Sequence, residues 1–332
     1  MSEHGADPLA RRLSTADGRI GVDVFEQRGR QDGPHVVVLG GVHGDEIGGI
    51  VAAGTVADTI RTLRAGRVTV IPVAHEAARR ADMRVSPEDG GNLARSFPGR
   101  ADGSQTEQLA HLLTSEVLAH ADVIVDLHTS NSAADMPLFV GCLDDGSAAA
   151  DEAVRLAFGL GMPMLWTHPR LGPGRTLTVA AERGIPALYV ESPLGGVLER
   201  RYVDAYADGV RAVLEACGLV AAETPPRTRP TPALWVHGDG DTDAFSAVTS
   251  DGFFERIVAL LDPVRRGDPV GRVIDVFGRE QEIVIAPSDG IVTTLQRAAA
   301  IVSGQPVVGV TPVRPGVLGL ASDDLVTTRN PL

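Results

Sequence analysis

Short apolar runs alternate with longer stretches of helical spacing through the first 220 residues, and this alternation limits the possible folds more than any other feature. The runs are rich in valine, isoleucine and leucine, which is typical of strands covered on both faces. They lie at residues 36–39, 68–73, 123–127 and 187–191, and helical patterns lie at 47–63, 106–119, 151–159 and 202–217. We therefore predict an α/β fold with a mixed, mainly parallel sheet and helices on both faces.

A proline-rich segment at residues 223–232 separates this region from the rest of the chain and is predicted to be a linker. After it, short segments of alternating hydrophobicity are divided by turn residues, as in small all-β units. The sequence thus predicts an α/β catalytic domain at 1–222 and a small β-barrel or hammerhead-like domain at 233–332.

The charge of the chain argues against several kinds of function. Its 43 acidic and 30 basic residues give a formal net charge of −13, and nucleic-acid binding is not expected because phosphate contacts need a basic surface. All the basic residues are arginine, so no lysine can form a Schiff base or carry a lipoyl group. No run approaches the ~18 apolar residues of a membrane helix and no signal peptide is evident, so we expect a cytoplasmic protein without a membrane partner.

Two histidines follow predicted strands directly. His43 and Glu46 form an H-x-x-E unit after the first strand, and His128 directly follows the run at 123–127. Ligand sites of open α/β sheets lie at the carboxyl ends of the strands, where these side chains would converge. Hydrolytic zinc is held by three His or Glu ligands with a fourth position open for water, so the three residues are a candidate metal site.

Two carboxylates are placed to assist such a site. Asp126 lies two residues before His128 and shares its face of the strand, where it could orient the imidazole. Glu191 ends an otherwise apolar strand, and a carboxylate in that position must be paired, exposed in a cleft or functional. Glu191 is therefore the first candidate for the base that activates water.

Three arginines are candidates for contact with substrate. Arg84 and Arg95 lie in a loop at residues 83–99 that is rich in turn residues, and Arg175 precedes the strand of Glu191. A guanidinium can polarise a scissile carbonyl or bind a carboxylate with two hydrogen bonds.

Together these motifs resemble the succinylglutamate desuccinylase/aspartoacylase family, which is related to the zinc carboxypeptidases. The motifs GGVHGDE, NLARSFPG, VDLHT and GIPALYVES carry the resemblance, which covers most of the chain. It implies one zinc ion per chain on His43, Glu46 and His128, with Glu191 as general acid/base. It further implies that Arg84 polarises the carbonyl and that Arg95 binds the substrate carboxylate. The pattern looks closest to Nα-acetyl-diaminobutyrate deacetylases, and the C-terminal β unit is similar to the barrel that caps the cleft in this family.

The chain departs from the family signature at one position. Ala94 stands where the signature has the asparagine that helps to hold the α-carboxylate, so one hydrogen-bond donor to the substrate is missing. Asn92, two residues upstream, is a candidate substitute. The departure affects the expected substrate rather than the expected chemistry.

Three functions remain open at this stage. The first is deacylation of a small N-acylated amino acid or amine. The second is a zinc carboxypeptidase or peptide amidase, which uses the same ligands. The third is a binding protein of the same fold without catalysis. His168 is expected in a loop or at the surface, with a position lining the cleft as the alternative, and His75 is expected on the cleft side. The oligomeric state is open, a homo-oligomer included.

Overall fold

A computed structural model of the chain describes residues 9–222, 232–238 and 246–312, and within these ranges it contains eighteen strands and six α-helices. The strands are β1 (Leu9–Ser14), β2 (Gly21–Arg28), β3 (Gln31–Gly40), β4 (Ala65–Ile71), β5 (Val123–Leu127), β6 (Ala134–Asp135), β7 (Phe139–Leu143), β8 (Met164–His168), β9 (Ala187–Glu191), β10 (Leu234–His237), β11 (Ser246–Ala247), β12 (Gly252–Arg256), β13 (Pro263–Val264), β14 (Pro269–Ile274), β15 (Glu280–Ile285), β16 (Gly290–Gln296), β17 (Ala300–Ile301) and β18 (Pro306–Thr311). The helices are α1 (Ile47–Thr59), α2 (Glu76–Ala81), α3 (Gln105–Glu116), α4 (Ala148–Leu160), α5 (Thr176–Glu182) and α6 (Arg200–Ala216).

Nine strands form one sheet in the order β1-β2-β4-β3-β5-β9-β7-β8-β10. Strands β4, β3, β5 and β9 are parallel to one another, whereas β2 and β7 run antiparallel to their neighbours β4 and β9. This arrangement confirms the predicted mixed, mainly parallel sheet. The carboxyl ends of β3, β5 and β9 consequently lie side by side at one edge.

Helices cover both faces of the sheet because the residues of its central strands are apolar on both faces. In β3, Val36 and Val38 pack in a cluster with α1, α4 and α6, and Val37 and Leu39 pack in a second cluster with α3 and α5. All four side chains are fully buried. Burial of one such side chain contributes roughly 1.5–3 kcal/mol to the free energy of unfolding, so these four residues stabilise β3 between the helices on the two faces.

The four predicted strands of the large sheet all form, and the predicted helices form with different ends. Helix α1 ends at Thr59 rather than at residue 63, and α4 begins at Ala148 rather than at 151. Strands β1 and β2 were not predicted, because they form an antiparallel hairpin at the sheet edge with many polar residues.

The C-terminal region forms two antiparallel sheets around its own apolar core. One has the order β11-β18-β16-β13, with β6 also paired to β16, and the other has the order β15-β14-β12-β17. Strand β10 pairs with β8 instead, so residues 234–237, which we assigned to the small β domain, extend the large sheet. Most of the predicted linker, residues 223–231, lies outside the described residues. None of the described helices could span a membrane by length and apolarity.

Candidate active site

The turn between β3 and α1 brings His43 and Glu46 to the edge of the sheet. Gly41 has a φ of +62°, a left-handed conformation that favours glycine. At Gly44 a Cβ atom would lie 2.1 Å from the backbone of Ala78, so no side chain fits there. Glu46 precedes the first residue of α1, and its carboxylate caps no backbone group of the helix. The carboxylate is directed at the histidines instead.

His43, Glu46 and His128 converge as a buried cluster. Nδ1 of His43 lies 2.6 Å from Oε1 of Glu46, and Nδ1 of His128 lies 2.7 Å from Oε2 of the same carboxylate. One ligand atom from each residue lies within 4.8 Å of the other two. Two imidazole nitrogens and a carboxylate oxygen that share one small space fit a divalent metal ion with nitrogen and oxygen ligands.

The electrostatics of the cluster follow from burial and mutual proximity. Burial lowers the pKa of His43 although Glu46 opposes this. Burial acts in the same direction on His128, but Asp126 and Glu46 outweigh it and raise the pKa of His128 well above its usual range. Burial disfavours the charge of Glu46, yet the two histidines lower its pKa well below the usual range. Glu46 is therefore ionised and available as a ligand at neutral pH.

Asp126 contacts the second nitrogen of His128. Its Oδ2 lies 3.2 Å from Nε2 of His128 and accepts a 2.6 Å hydrogen bond from the Thr176 hydroxyl at the start of α5. Asp126 is 2% exposed. Since Nδ1 of His128 faces Glu46, a carboxylate on the other side of the ring fixes both its orientation and its tautomer. The predicted contact between Asp126 and His128 is present.

Glu191 lies beside this cluster at the end of β9. Its Oε2 is buried and accepts no hydrogen bond from the described residues. Burial raises the pKa of Glu191 to about 8, and the charge of Glu46 adds to the rise. A buried carboxylate oxygen without a partner is costly unless it has a role in a cleft, and the half-buried Glu191 lines one.

A cavity of about 260 Å³ opens onto the cluster. Its wall combines the metal-site residues with arginines, hydroxyl groups and an apolar side. Described residues on the wall include His43, Glu46, Arg84, Ala94, Arg95, Asp126, His128, Thr129, Ser130, Asn131, Met136, His168, Leu171, Arg175, Thr176, Leu177, Tyr189, Glu191 and Thr294. The volume suits a small molecule rather than a folded chain.

The three predicted arginines all line the cavity. Arg84 also makes a contact that the sequence did not indicate. Its guanidinium donates a 2.8 Å hydrogen bond to Oε1 of Glu46, so in this structure it contacts a candidate metal ligand. Arg95 follows Asn92 in a short 3₁₀ helix, Leu93–Arg95, and donates to the carbonyl oxygen of Ala94. Arg175 lies just before α5.

Asn92 takes a different position from the one expected of a substrate ligand. It is not among the described residues that line the cavity. Its Oδ1 accepts a hydrogen bond from the backbone N–H of Ala94 and lies 3.1 Å from Nε2 of His43. Asn92 thus caps the 3₁₀ helix and contacts the imidazole, while Ala94 itself faces the cavity.

The sequence analysis missed some of the residues that line the cavity and misplaced others. His168 was expected at the surface, but it is 2% exposed in β8, where its Nε2 lies 2.7 Å from the Tyr189 hydroxyl. Tyr189 shares a face of β9 with Glu191, and that alternation could have identified it. Thr294 comes from β16, and no local signal indicates it. His75 is buried at the start of α2 and is not among the described lining residues.

Most of the α/β region is similar to known proteins. Residues 32–217 match the model of the succinylglutamate desuccinylase/aspartoacylase catalytic domain. An N-alpha-acetyl-L-2,4-diaminobutyric acid deacetylase from Halomonas elongata is 32% identical over 251 residues, which are 74% of this chain and 72% of the relative.

Solved structures are similar over nearly the whole chain. A product-bound structure of the ectoine utilization protein EutE from Ruegeria pomeroyi is 28% identical with a TM-score of 0.81, covering 92% of this chain and 94% of the other. A succinylglutamate desuccinylase from a Silicibacter species is 27% identical with a TM-score of 0.79, covering 93% and 94%.

Proposed function

Since this chain belongs to the succinylglutamate desuccinylase/aspartoacylase family, we propose that it is a zinc-dependent amidohydrolase that removes the acyl group from a small N-acylated amino acid or amine. The convergence of His43, Glu46 and His128 below a cavity of small-molecule size carries this proposal. Within this class, an Nα-acetylated diamino acid is the first substrate to test, because the Halomonas relative is named for such a reaction.

Zinc suits the donor set, since both imidazoles present Nδ1 to the space that the Glu46 carboxylate occupies. When bound, such an ion supplies Lewis acidity: it polarises a carbonyl group and lowers the pKa of water toward ~7. His43 and Glu46 come from one turn and His128 from a neighbouring strand. Asp126 holds the His128 ring so that its Nδ1 stays directed at the site.

Glu191 is the proposed general acid/base. Glu191 lines the cavity, where its carboxylate can accept a proton from the attacking water and deliver it to the leaving nitrogen. Burial raises the pKa of this carboxyl group, which makes the carboxylate a stronger base and so favours uptake of the proton from water.

The arginines are proposed to bind and polarise the substrate. Arg95 and Arg175 bring fixed positive charge to the wall, where each can bind a carboxylate. Arg84 contacts the candidate metal ligand Glu46, and a substrate carbonyl placed beside that ligand would meet its guanidinium. The apolar side chains Leu171 and Leu177 complete the wall.

The size of the cavity favours a small substrate over a peptide. Thr294 of the C-terminal region is part of the wall, so this region limits the space above the metal site. A zinc carboxypeptidase needs a groove that receives an extended chain. Release of C-terminal residues from long peptides would reverse this preference.

The test combines metal analysis with a substrate screen. Purified protein should hold about one zinc ion per chain. It should also hydrolyse at least one N-acetyl, N-succinyl or N-formyl amino acid in a set that includes the diaminobutyrate and aspartate derivatives. His128→Ala should lose both metal and activity, whereas the exposed His111 on α3 provides a matched control, His111→Ala, that should keep both. Full activity in metal-free protein or in His128→Ala would refute the proposal, and metal without turnover would indicate a binding protein.

A further inference from the structure

The C-terminal sheets touch the catalytic region at a specific place. Strand β16 pairs with the two-residue strand β6, with Leu295 opposite Asp135 and Gln296 opposite Ala134. Strand β6 lies in the segment that follows His128, so the pairing joins the small sheet to a loop that leaves the metal site. The next residue after β16 is Arg297.

Arg297 contacts two separate loops. Its backbone N–H donates a 2.7 Å hydrogen bond to the carbonyl oxygen of Ala133. Its guanidinium donates a 2.6 Å hydrogen bond to the carbonyl oxygen of Gly195, and its Nε lies 3.8 Å from Oδ1 of Asp135. Ala133 and Asp135 belong to the loop after His128, whereas Gly195 belongs to the loop after Glu191.

The two loops are also joined to each other. Oδ1 of Asp135 accepts a 3.0 Å hydrogen bond from the N–H of Leu194, and the Ser130 hydroxyl accepts one of the same length from the N–H of Gly195. The N–H of Ser130 in turn donates to the carbonyl oxygen of Ser192. A Cβ atom on Gly195 would lie 1.6 Å from the backbone carbonyl oxygen of Ser130, so only glycine fits where the two loops approach each other.

The loop after Glu191 needs this support because its backbone is held in an unfavourable conformation. Leu194 has a φ of +66°, in the left-handed region that non-glycine residues avoid. Such a conformation persists only where the surrounding structure holds it. Two hydrogen bonds help to hold it: Asp135 accepts one from the N–H of Leu194, and Arg297 donates one to the carbonyl oxygen of the next residue, Gly195.

We propose that Arg297 is a positioning residue: by linking β16 to the loops after His128 and Glu191, it fixes the place of the Glu191 carboxylate over the metal site. Arg297 does not line the cavity among the described residues and acts through Gly195 and Asp135. This inference rests on the proposed role of Glu191. It assigns to the C-terminal region a part in the reaction that goes beyond covering the cavity.

The experiment measures local opening and turnover in the full-length, metal-loaded protein. We compare wild type with Arg297→Ala, Arg297→Lys and Asp135→Asn, where the asparagine keeps an acceptor for Leu194 but loses the ion pair. The matched control is Arg272→Ala, which removes an exposed arginine of the same region that pairs with Glu255. The readouts are hydrogen exchange at residues 194–197, kcat and KM separately, and metal content.

In Arg297→Ala we expect exchange at residues 194–197 to rise about tenfold over the control. We expect kcat to fall about tenfold with metal content and KM nearly unchanged, because displacement of a catalytic group mainly slows the chemical step. Arg297→Lys should recover part of both effects, and Asp135→Asn should show a smaller change in the same direction.

Exchange and kcat in Arg297→Ala that match Arg272→Ala would overturn the inference. If Arg297→Ala unfolds, the lysine and asparagine variants decide, and faster exchange spread evenly over the chain would also count against it. If local exchange rises but wild type hydrolyses no N-acyl compound, the link between the loops stands and the proposed function fails.

Discussion

The large sheet and the small four-stranded sheet bury their strands in different ways. All five residues of β5 are buried, because helices cover both faces of the large sheet. In β15 only Val284 is buried, because this strand lies at the edge of its sheet with one face in solvent. Asp126 belongs to β5 and its partner His128 directly follows that strand, so both side chains have little freedom.

The difference teaches how the two regions share the site. Strands covered on both faces position the groups that need fixed geometry: Glu191 ends β9, and the candidate metal ligands follow the ends of β3 and β5. The C-terminal sheets supply a wall residue, Thr294, and a link, Arg297, from strand β16, six of whose seven residues are buried. The exposed edge strand β15 contributes none of the described residues that line the cavity, and we expect it to tolerate change.

Glu191→Gln should have the largest effect. The amide has nearly the same shape but cannot exchange a proton, so kcat should fall by roughly 10²- to 10⁴-fold. Metal content and the midpoint of urea unfolding should remain those of wild type, as measured by elemental analysis and circular dichroism. A variant with kcat within tenfold of wild type would show that another group carries the proton.

Ile124→Ala should destabilise the protein most strongly among changes away from the chemistry. Ile124 is fully buried in β5 within the cluster that contains α3. Removal of its side chain leaves a cavity, and the free energy of unfolding should fall by about 2–5 kcal/mol. Urea titration followed by circular dichroism measures the loss. A change below that range would mean that the large sheet can relax around the cavity.

Thr176→Val should weaken metal binding. It removes the 2.6 Å hydrogen bond to Asp126 and so loosens the carboxylate that orients His128. We expect the affinity for zinc to fall about tenfold, as measured by competition with a chelator. Thr178→Val is the control in the same helix, since its hydroxyl bonds to Gly172 and not to the site. Equal affinities in the two variants would argue against a role for Asp126 in orienting His128.

Ile283→Ala should have the smallest effect and completes the comparison with Ile124. Ile283 is 53% exposed on β15, so little apolar area is lost when it is shortened. The free energy of unfolding should change by no more than ~0.5 kcal/mol. A loss as large as that of Ile124→Ala would show that the outer face of the small sheet is covered in solution.

The sequence predicted the central part of the fold because the signal there is local and strong. The runs that became β5 and β9 are mostly apolar, each with one carboxylate at or next to its end, and each strand has the bounds given by the pattern. The hairpin β1–β2 was missed because edge strands carry polar side chains that weaken the pattern. Residues 234–237 were assigned to the wrong sheet, since a short strand pattern does not reveal its pairing partner.

The candidate site was likewise predictable only where the signal is local. His43, Glu46, His128, Asp126 and Glu191 could be identified because each lies at or just beyond the end of a strand. The contact of Arg84 with Glu46 and the position of Asn92 beside His43 join residues 38 and 49 positions apart, and no local pattern encodes such pairs. For His168 a loop or surface position was favoured over the cleft, but it is buried at the end of β8, whose place in the sheet depends on pairing with distant strands.

By itself the sequence determined the alternation of strands and helices, and with it the edge at which polar side chains could meet. Only the tertiary structure decided which of them meet, which carboxylate stays buried without a partner, and how β16 reaches the loops beside the cavity. The physical reason is range: hydrophobic period and backbone preference act over a few residues, whereas burial, pKa and hydrogen-bond partners depend on segments that are distant in the chain.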